Sequence, residues 1–374
     1  MSEEETPEEP DETAAGEQEK FPCGQCGADM TWDPAADALS CTYCGNVVQV
    51  PRGDGTVVER ALEEAGAAAR GLGLEVRVAK CQNCGARVSY ETTTTASLCV
   101  YCGSPNVLPQ EANRNAIRPE SLVPLDVSRK EVEESFRRWL KGLWFRPSEL
   151  QKTKQFDAIG IYVPFWTFDC RVHSDWSADS GTYYYVTVPR TVMVNGRPQL
   201  RMVRERRVRW RPAWGSRDDA YDDHLVLASN LSPELVEDLG GFDTTGLVPY
   251  QPQYLAGWRA EEYQVDLEQG WARAQEAVVA SQQARCAGDV PGDTHRNLRV
   301  QNRIHDVRWK HVLLPVWSLQ YRFGKKTYTV LVNGKTGKVA GKAPISWVKI
   351  AVLVLAILLA IPAGIGILAA LGSM

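Results

Sequence analysis

No charged residue occurs between Ile350 and Met374, at the end of this chain of 374 residues. The absence excludes a solvated terminal segment, because Ile350 to Leu371 reads IAVLVLAILLAIPAGIGILAAL. About 20 apolar residues suffice for a helix to cross the roughly 30 Å hydrocarbon layer of a bilayer. The sequence therefore predicts one transmembrane helix over 349–372.

The residues before this segment predict its orientation. Trp347 and Lys349 lie where interfacial anchors are expected, and they follow three further lysines, Lys335, Lys338 and Lys342. Positive charge on one flank favours the cytoplasmic side of a membrane. We therefore expect a tail-anchored, single-pass protein of the cell (inner or plasma) membrane, with its N-terminal bulk in the cytoplasm. A lipid bilayer is thus one expected partner.

Small residues recur every four positions in the predicted span, at Ala356, Ala360 and Gly364. This spacing lets a second helix approach closely, although Pro362 would kink the segment. The sequence leaves a homo-oligomer open.

The first 20 residues lack aromatic side chains. They carry nine acidic residues against Lys20, a net charge of about −8. A segment with so much charge of one sign and so little to bury is typical of disorder. Residues 1–20 are therefore predicted to be a disordered acidic tail.

The chain also lacks a phosphate-binding loop. An ATP-driven motor needs Gly-x4-Gly-Lys-[Ser/Thr], so that backbone amides and the lysine hold phosphates and the hydroxyl holds Mg²⁺. The nearest string, Gly337 to Ala343, is one residue short and has no hydroxyl at its end. This absence excludes a motor of that class.

Two loose groups of acid–base residues give only weak grounds for an enzyme. The first group is Asp222, Asp223 and His224, and the second is Asp169, His173 and Asp175. Proximity in sequence does not bring side chains within hydrogen-bonding reach, and neighbours on a strand point to opposite faces. We interpret both groups as surface or turn residues and expect no enzyme, while a membrane-bound enzyme of unknown activity remains the second alternative. Cys170 and Cys286 are interpreted as ordinary buried thiols.

Eight of the ten cysteines form two copies of the pattern Cys-x2-Cys-x14-Cys-x2-Cys. The first copy is Cys23, Cys26, Cys41 and Cys44, and the second is Cys81, Cys84, Cys99 and Cys102. Facing Cys-x2-Cys turns form the tetrahedral sulfur cage that Zn²⁺ prefers. A glycine follows the second cysteine of each pair, where a positive φ lets the chain fold back around the metal. The chain shows no secretory signal peptide, so metal ligation is favoured over disulfides.

We therefore predict two structural Zn²⁺ ions, one in each copy. All four ligands of each site are protein sulfurs, which leaves no coordination position for water or substrate. Each lobe is too small to hold a core alone, and metal binding would supply much of its folding free energy. The predicted organisation is a zinc ribbon over 21–50, a helical spacer over 51–78 and a second ribbon over 79–110. A capping box at Thr56 to Glu59 would begin the spacer helix.

Residues 113–345 are predicted to form an α+β middle domain with antiparallel strands. A capping box at Ser128 and apolar residues at helical spacing predict a helix that ends near Gly142. Further predicted elements are a buried strand over Ile159–Cys170, a helix over Trp258–Arg285, and strands over Leu313–Trp317 and Tyr328–Val332. Asn195-Gly196 and Asn333-Gly334 are typical of hairpin turns.

The most basic stretch, Arg201–Arg211, contains six arginines and one glutamate. In an extended strand, Arg207, Arg209 and Arg211 would share one face, and Arg204, Arg206 and Trp210 the other. Such a strand could meet anionic lipid headgroups or nucleic-acid phosphates. A solvated strand beside the acids at 218–223 is the third interpretation.

Five strings, in this order, carry a resemblance to a bacterial protein family. They are PFWTFD (Pro164–Asp169), DDHLVLAS (Asp222–Ser229), PYQPQYLAGWRAEEY (Pro249–Tyr263), HVLLPVW (His311–Trp317) and YTVLVNGKTGKVAGKAPIS (Tyr328–Ser346). Roughly residues 20–360 resemble membrane-anchored zinc-ribbon proteins, often labelled transcription-factor-IIB-type (TFIIB-type) zinc ribbon-containing or primosomal protein N′ (replication factor Y)-like. Some members resemble membrane-stress components, so the resemblance implies phage-shock-type or flotillin-like (SPFH) partners.

Taken together, these features predict a non-enzymatic membrane-anchored adaptor. It would present its ribbons to cytoplasmic or membrane-associated protein partners, in a membrane-stress response or in membrane organisation. A membrane-tethered nucleic-acid-binding protein is the first alternative. Against it, the segment Cys23–Cys44 contains three aspartates and no lysine or arginine, so phosphate neutralisation there is weak.

Overall fold

The computed structural model is a mixed α+β structure made mostly of sheet, which confirms the predicted class. It describes residues 21–51, 57–73, 76–91, 98–144, 146–147, 156–194, 197–324, 326–355 and 357–358. The predicted acidic tail over 1–20, the spacer cap at Thr56 and most of the predicted membrane span over 349–372 lie outside these residues.

The strands are β1 Thr31–Asp33, β2 Ala38–Ser40, β3 Val47–Val48, β4 Arg60–Ala61, β5 Val76–Cys81, β6 Arg87–Glu91, β7 Val107–Gln110, β8 Ser121–Leu122, β9 Phe156–Val194, β10 Arg197–Leu227, β11 Val248–Pro249, β12 Arg259–Ala260, β13 Thr294–Phe323, β14 Lys326–Asn333 and β15 Val339–Gly341. The α-helices are α1 Arg129–Gly142, α2 Pro233–Asp238 and α3 Leu267–Asp289, and 3-10 helices cover Leu62–Ala67, Thr244–Gly246 and Pro252–Leu255. A further helix covers 347–355 and 357–358.

The central sheet has the strand order β10-β9-β13-β14-β15, and these neighbours are all antiparallel. The predicted strands over Ile159–Cys170, Leu313–Trp317 and Tyr328–Val332 all lie in it, and these predictions are confirmed. Strands β14 and β15 form the hairpin predicted at Asn333-Gly334. Val194 pairs with Arg197, so the strands flanking Asn195-Gly196 also form a hairpin, although that turn lies outside the described residues.

Strands β9, β10 and β13 are unusually long, with 39, 31 and 30 residues. A strand of 39 residues spans up to about 130 Å, at roughly 3.3 Å per residue. Pairing of β13 with β9 begins at Thr294 and Gly181. Beyond that level, Thr182–Val194 and Arg197–Arg209 continue as a two-stranded ribbon, which we name the distal hairpin.

Two β-bulges lie on either side of the same point of β9. On β10, the register shifts between Tyr221 and His224, and on β13 it shifts between His305 and Arg308. Asp223 and Asp306 have positive φ values of 48° and 54°. Bulges bend strands and increase their local twist. The long sheet is therefore irregular near Asp169 on both of its flanks.

The two cysteine lobes pack on opposite faces of the central sheet. The first lobe, residues 21–50, shares a hydrophobic cluster with α1 and with Ala158 and Tyr162 of β9. The second lobe, residues 76–110, shares another cluster with α2 and with Ile161, Val163 and Phe165. Successive strand residues point to opposite faces, so these even and odd positions define two separate layers. Helix α3 packs farther along β9, against further even positions such as Phe168 and Val172.

Helix α1 begins as predicted. The Ser128 hydroxyl accepts a hydrogen bond from the Glu131 amide, and the Glu131 carboxylate accepts one from the Ser128 amide. Val132, Phe136 and Leu140 are buried, and the helix ends at Gly142. The capping box thus accounts for the start of this element, and the apolar spacing for its buried face.

Helix α3 begins at Leu267, nine positions after the predicted start at Trp258, so that prediction was wrong at its N-terminal end. Arg259 and Ala260 instead pair in parallel with β9. The carboxylate of Asp266 accepts a hydrogen bond from the Gln269 amide at 2.8 Å and caps the helix. Hydrogen bonding to the sheet and this later cap therefore determine where the helix begins.

The segment predicted as a helical spacer contains strand β4 and the 3-10 helix Leu62–Ala67. The Glu64 carboxylate accepts a hydrogen bond from the Ala61 amide at 3.2 Å. Strand β4 pairs with β13, so this segment is attached to the central sheet.

None of the helices in the described part of the chain has both the length and the apolar character needed to span a bilayer.

Candidate metal centres

The first four-cysteine cluster is built from two turns of the same form. The amide of Gly27 donates to the Cys23 carbonyl at 2.8 Å, and the amide of Gly45 donates to the Cys41 carbonyl at 2.9 Å. Both glycines have positive φ, 76° and 74°, as the cysteine spacing predicted. Each turn directs two sulfurs to the same side of a short loop.

The sulfurs of this cluster have metal-site spacing. The Sγ atoms of Cys23 and Cys44, and those of Cys26 and Cys41, are 3.5 Å apart, and all four lie within 4.8 Å of one another. Tetrahedral zinc with bonds of about 2.3 Å requires sulfur separations of about 3.8 Å. A disulfide requires about 2.05 Å. All ten cysteines are free thiols here, and the cluster geometry matches a four-sulfur cage.

The second cluster repeats this arrangement. Its Sγ pairs, Cys81 with Cys102 and Cys84 with Cys99, are each 3.6 Å apart. Gly85 and Gly103 have φ values of 80° and 67°, and their amides bond to the Cys81 and Cys99 carbonyls. The predicted sulfur sets are therefore both assembled, and each is compatible with one zinc ion.

Hydrogen bonds between the clustered sulfurs shift the pKa values of their thiols in opposite directions. The Gln25 amide donates to the Cys23 sulfur at 3.5 Å and lowers the pKa of that thiol to about 6. In the second cluster, the contact of 3.6 Å between the Cys84 and Cys99 sulfurs lowers the pKa of Cys99 to about 5 and raises the pKa of Cys84. Amide N–H groups near sulfur stabilise negative charge, as in known thiolate sites.

Burial of the sulfurs is asymmetric. In the first cluster Cys23 and Cys41 are buried, whereas Cys26 and Cys44 are exposed. In the second, Cys81 and Cys99 are buried and the other two are half-buried. The inner sulfurs belong to the hydrophobic clusters beneath each lobe. A metal at either site would therefore connect the outer loop of a lobe directly to the protein core.

Trp32 is the main anchor of the first lobe, and sequence reasoning did not identify it. Its ring is 2 % exposed and lies 4.6 Å from that of Tyr254. The Trp258 indole donates to the Trp32 carbonyl at 3.0 Å and packs edge-on against Trp317 of β13 at 5.0 Å. This chain of aromatic contacts joins the first lobe to the central sheet. Trp32 lies six residues after Cys26 in a short alternating strand, which is the only local signal for it.

Buried polar contacts attach the second lobe to the body. The Tyr101 hydroxyl, between Cys99 and Cys102, donates to Glu261 at 2.8 Å. Glu261 is 2 % exposed and also accepts from Ser229 and Gln264, both at 2.9 Å. Burial raises the pKa of Glu261 to about 7. The second lobe is therefore fixed by a carboxylate whose charge is costly in this position.

Further contacts support the same attachment. Arg87 of β6 forms an ion pair with Glu262 at 2.8 Å. The Gln320 side-chain amide donates to the Cys99 carbonyl at 2.5 Å, and the Ser318 hydroxyl donates to the Val100 carbonyl. The loop that holds a metal ligand is thus bonded directly to β13.

A cleft of about 530 Å³ lies beside the first lobe. Its wall includes Trp32, Trp258 and Trp317, the N-terminus of α1 at Arg129, and Asp33. A volume of this size falls within the range of small-molecule pockets.

Two aspartates of the first group of acid–base candidates and one of the second lie near a buried lysine. Asp169, Asp222 and Asp223 come together at the β10 bulge, with ligand atoms within 4.8 Å of one another. The ammonium of Lys310 is 2.6 Å from Asp223 and 3.0 Å from Glu59. Burial raises the pKa of Asp169 to about 6. Lys310 and Glu59 were not predicted, because they lie far from these aspartates in sequence.

The other candidates are dispersed. His173 contacts Asp218 at 2.7 Å and Asp175 at 3.4 Å on the exposed face of the sheet, and the hydrogen bond with Asp218 raises the pKa of His173. Burial lowers the pKa of His224. Cys170 and Cys286 are buried thiols in separate hydrophobic clusters, and burial raises the pKa of each.

Arg201–Arg211 is an extended part of β10, so its residues alternate between faces as predicted. Several of its arginines stack on aromatic rings of β9. Arg204 lies 4.1 Å from the Tyr185 ring centroid, and Arg206 lies 4.3 Å from that of Tyr183. Cation–π contacts hold these guanidinium groups against the hairpin.

The chain is 29 % identical over 338 residues to the uncharacterized protein YdjG of Bacillus subtilis (strain 168), and the match covers 88 % of this chain and 92 % of that protein. No family model matches the chain. No solved structure matches it either.

Proposed function

We propose that this protein is a non-enzymatic, membrane-anchored adaptor whose rigid body is fixed by two structural zinc ions. One observation carries the proposal. Each four-sulfur cluster has two inner sulfurs in the hydrophobic core beneath its lobe, and the two lobes cover opposite faces of one sheet. Such sites offer no open coordination position for chemistry. Their contribution is to fix the shape of a surface.

The proposed zinc sites follow from the donor set. Four thiolates with separations near those of a tetrahedron suit Zn²⁺ better than hard cations that prefer oxygen ligands. The free energy of metal binding would compensate for the limited stabilisation that the small hydrophobic core of each lobe provides, because only part of each lobe is packed against the body.

The proposed location is the cell membrane, with the described body in the cytoplasm. The support is the uncharged apolar sequence from Ile350 to Met374 and the lysines before it. Large apolar side chains are already exposed where the terminal helix begins, including Trp347 and Val348, each 74 % exposed. A bilayer would cover such side chains.

The outer end of the first lobe is the docking surface that we propose for protein partners. Tyr43 lies between two metal-ligand positions and is 84 % exposed, and Val47 and Val48 are exposed beside it on β3. Rigid exposed aromatic residues flanked by apolar ones are common anchors of interfaces. The resemblance to membrane-stress proteins suggests partners of the SPFH or phage-shock type.

Affinity purification tests this surface. The full chain would be captured from detergent-solubilised membranes, and its co-purifying proteins would be compared with those of Tyr43→Ser. We expect the variant to lose a partner that wild type retains and to stay in the membrane fraction. Trp214→Ser is the matched control, because Trp214 is 78 % exposed on β10, outside the lobe. Equal recovery of every partner by Tyr43→Ser and wild type would contradict the proposed surface. Replacing Cys81 would be less informative, because its side chain is part of the core.

A further inference from the structure

The distal hairpin extends beyond all other described elements of the central sheet. Thirteen residue pairs join Thr182–Val194 to Arg197–Arg209 beyond Gly181, the β9 residue that pairs with the first residue of β13. At about 3.3 Å per residue, this projection is roughly 40 Å long. A two-stranded ribbon of this length has no hydrophobic core of its own. Its side chains are therefore available for contact with another surface.

One face of the distal hairpin is apolar near its tip. Strand alternation and the observed pairing place Met193, Leu200 and Met202 on the same face, together with Pro189 and Pro198. The first three side chains are 69 %, 73 % and 65 % exposed. No charged residue shares this part of the face. We name it the apolar tip face.

Arginines follow the apolar tip face directly, on the same side of the ribbon. Arg204 and Arg206 stack on Tyr185 and Tyr183, which share their face by the observed register. The distal hairpin contains seven arginines and one acidic residue, Glu205, a net charge of +6. Along this face, the apolar side chains near the tip are therefore followed by aromatic rings and guanidinium groups.

We propose that the distal hairpin binds the surface of an anionic lipid bilayer through this face. Met193, Leu200 and Met202 enter the boundary of the acyl chains, as the apolar face of an interfacial element does. Arg204 and Arg206 then lie at the level of the lipid phosphates, and Tyr183 and Tyr185 lie at the depth that interfacial aromatic residues favour. The proposal deepens the membrane-anchored function and rests on it for access to lipid.

Charge distinguishes lipid from a second copy of the chain. Two hairpins packed by their apolar tip faces would bring two sets of +6 close together, which disfavours association. Nucleic acid would neutralise the arginines but would leave three large apolar side chains in water. An anionic bilayer satisfies both parts of the face at once.

The distal hairpin and the terminal helix lie at opposite ends of the sheet. Strand β15 precedes that helix, and its position along the sheet follows from three successive pairings. Gly341 of β15 pairs with Val330, Val330 pairs with Leu319, and Leu319 pairs with Ala158 of β9. Val194 lies 36 residues farther along β9, a distance of up to about 120 Å at 3.3 Å per residue. The hairpin therefore meets lipid well away from the anchor, either along the same bilayer or on an apposed one.

The test is amide hydrogen exchange of the full chain reconstituted in vesicles. One set of vesicles contains phosphatidylcholine alone, and the other contains about 30 % phosphatidylserine, which supplies the negative surface potential. We expect exchange in the distal hairpin to slow at least tenfold in the anionic vesicles, while exchange in α3 stays unchanged. Because each basic residue near an anionic surface contributes about a fivefold gain in binding, Arg204→Gln with Arg206→Gln should weaken binding of the hairpin about 25-fold and return its exchange towards the rate in neutral vesicles. Leu200→Asp should abolish it.

The matched control is Arg138→Gln with Lys141→Gln, which removes the same charge from the exposed side of α1 and should retain full protection. Equal exchange in the two lipids would overturn the proposal, as would protection that persists in the arginine and Leu200 variants. Protection that appears in neutral vesicles only as protein concentration rises would assign the face to a second copy. Protection by added DNA but not by lipid would assign it to nucleic acid. Either result would overturn the proposal.

Anchoring is measured separately, by flotation of the full chain with neutral vesicles. Failure of the anchor is therefore distinguishable from failure of the hairpin.

Discussion

Replacing Glu261 by glutamine should change how stability depends on pH. Glu261 is buried at the junction of the second lobe, the central sheet and the loop at Ser229, with three hydrogen-bond donors around its carboxylate. Burial raises its pKa from 4.5 to about 7. The folded state therefore holds this proton at pH values at which the unfolded chain has released it.

The sign of the effect follows from this shift. Because the folded pKa is raised, the contribution to stability is complete below the unfolded pKa and is lost as pH rises through the folded one. A shift from 4.5 to about 7 corresponds in total to about 3 kcal/mol, at 1.36 kcal/mol per unit. Between about pH 6 and about pH 8, where metal thiolates persist, the lost part is about 1 kcal/mol.

Urea unfolding of the full chain in detergent, followed by tryptophan fluorescence, measures this slope. We expect wild type to lose about 1 kcal/mol more than Glu261→Gln between about pH 6 and about pH 8. Glu234→Gln is the control, because that side chain is exposed in the first turn of α2, and it should keep the wild-type slope. Parallel pH profiles for wild type and Glu261→Gln would refute the reasoning, because they would mean that the buried carboxylate does not titrate in this range.

Three further changes should alter stability in the same unfolding assay. Gly160→Ala should destabilise the protein by about 1–3 kcal/mol, because a Cβ there would lie 2.2 Å from the Trp258 ring. Gly142→Ala is the control and should cost nothing, because the space around Gly142 is open. Equal effects of the two changes would contradict this packing. Ser128→Ala should cost about 1 kcal/mol through loss of the α1 cap, and an unchanged unfolding midpoint would argue against the capping box. Lys310→Met should cost about 3–5 kcal/mol by leaving buried carboxylates without their cation, and a neutral result would show that those acids are protonated or solvated.

Local spacing in the sequence was enough to predict the cysteine clusters and several strands. The four glycines after the cysteine pairs, the Ser128 cap and the Asn333-Gly334 turn each depend on neighbours within a few residues, and all were confirmed. Helix α3 shows the limit of this reasoning. The helix itself was predicted, but its start was not, because pairing of Arg259 with β9 depends on residues far away in sequence.

The lengths of β9 and β10 could not be predicted for a different reason. Glycine and proline inside a β-prone run normally indicate a break. In the structure, Gly160 and Gly215 instead leave room for the rings of Trp258 and Trp176, which would lie 2.2 Å and 2.6 Å from an added Cβ. The strands therefore continue through these positions. The partners of those glycines lie 98 and 39 residues away, so no local pattern identifies them.

The packing of both lobes against the central sheet also could not be predicted from the sequence. Trp32 and Tyr101 carry the attachment, but each reads locally as an ordinary residue of a small ribbon. Their partners, Trp258 and Glu261, lie more than 150 residues away. Ribbons predicted as displayed modules are consequently packed into the body on their inner sides.

Metal analysis of the purified full chain tests the central claim, that two closed zinc sites fix the lobes on opposite faces of the sheet. Native mass spectrometry with elemental analysis should find two zinc ions in wild type. It should find one in Cys26→Ser with Cys44→Ser, a variant that removes exposed sulfurs without opening the core. A folded wild-type chain that contains no zinc, or whose cysteines are joined in disulfides, would contradict the account.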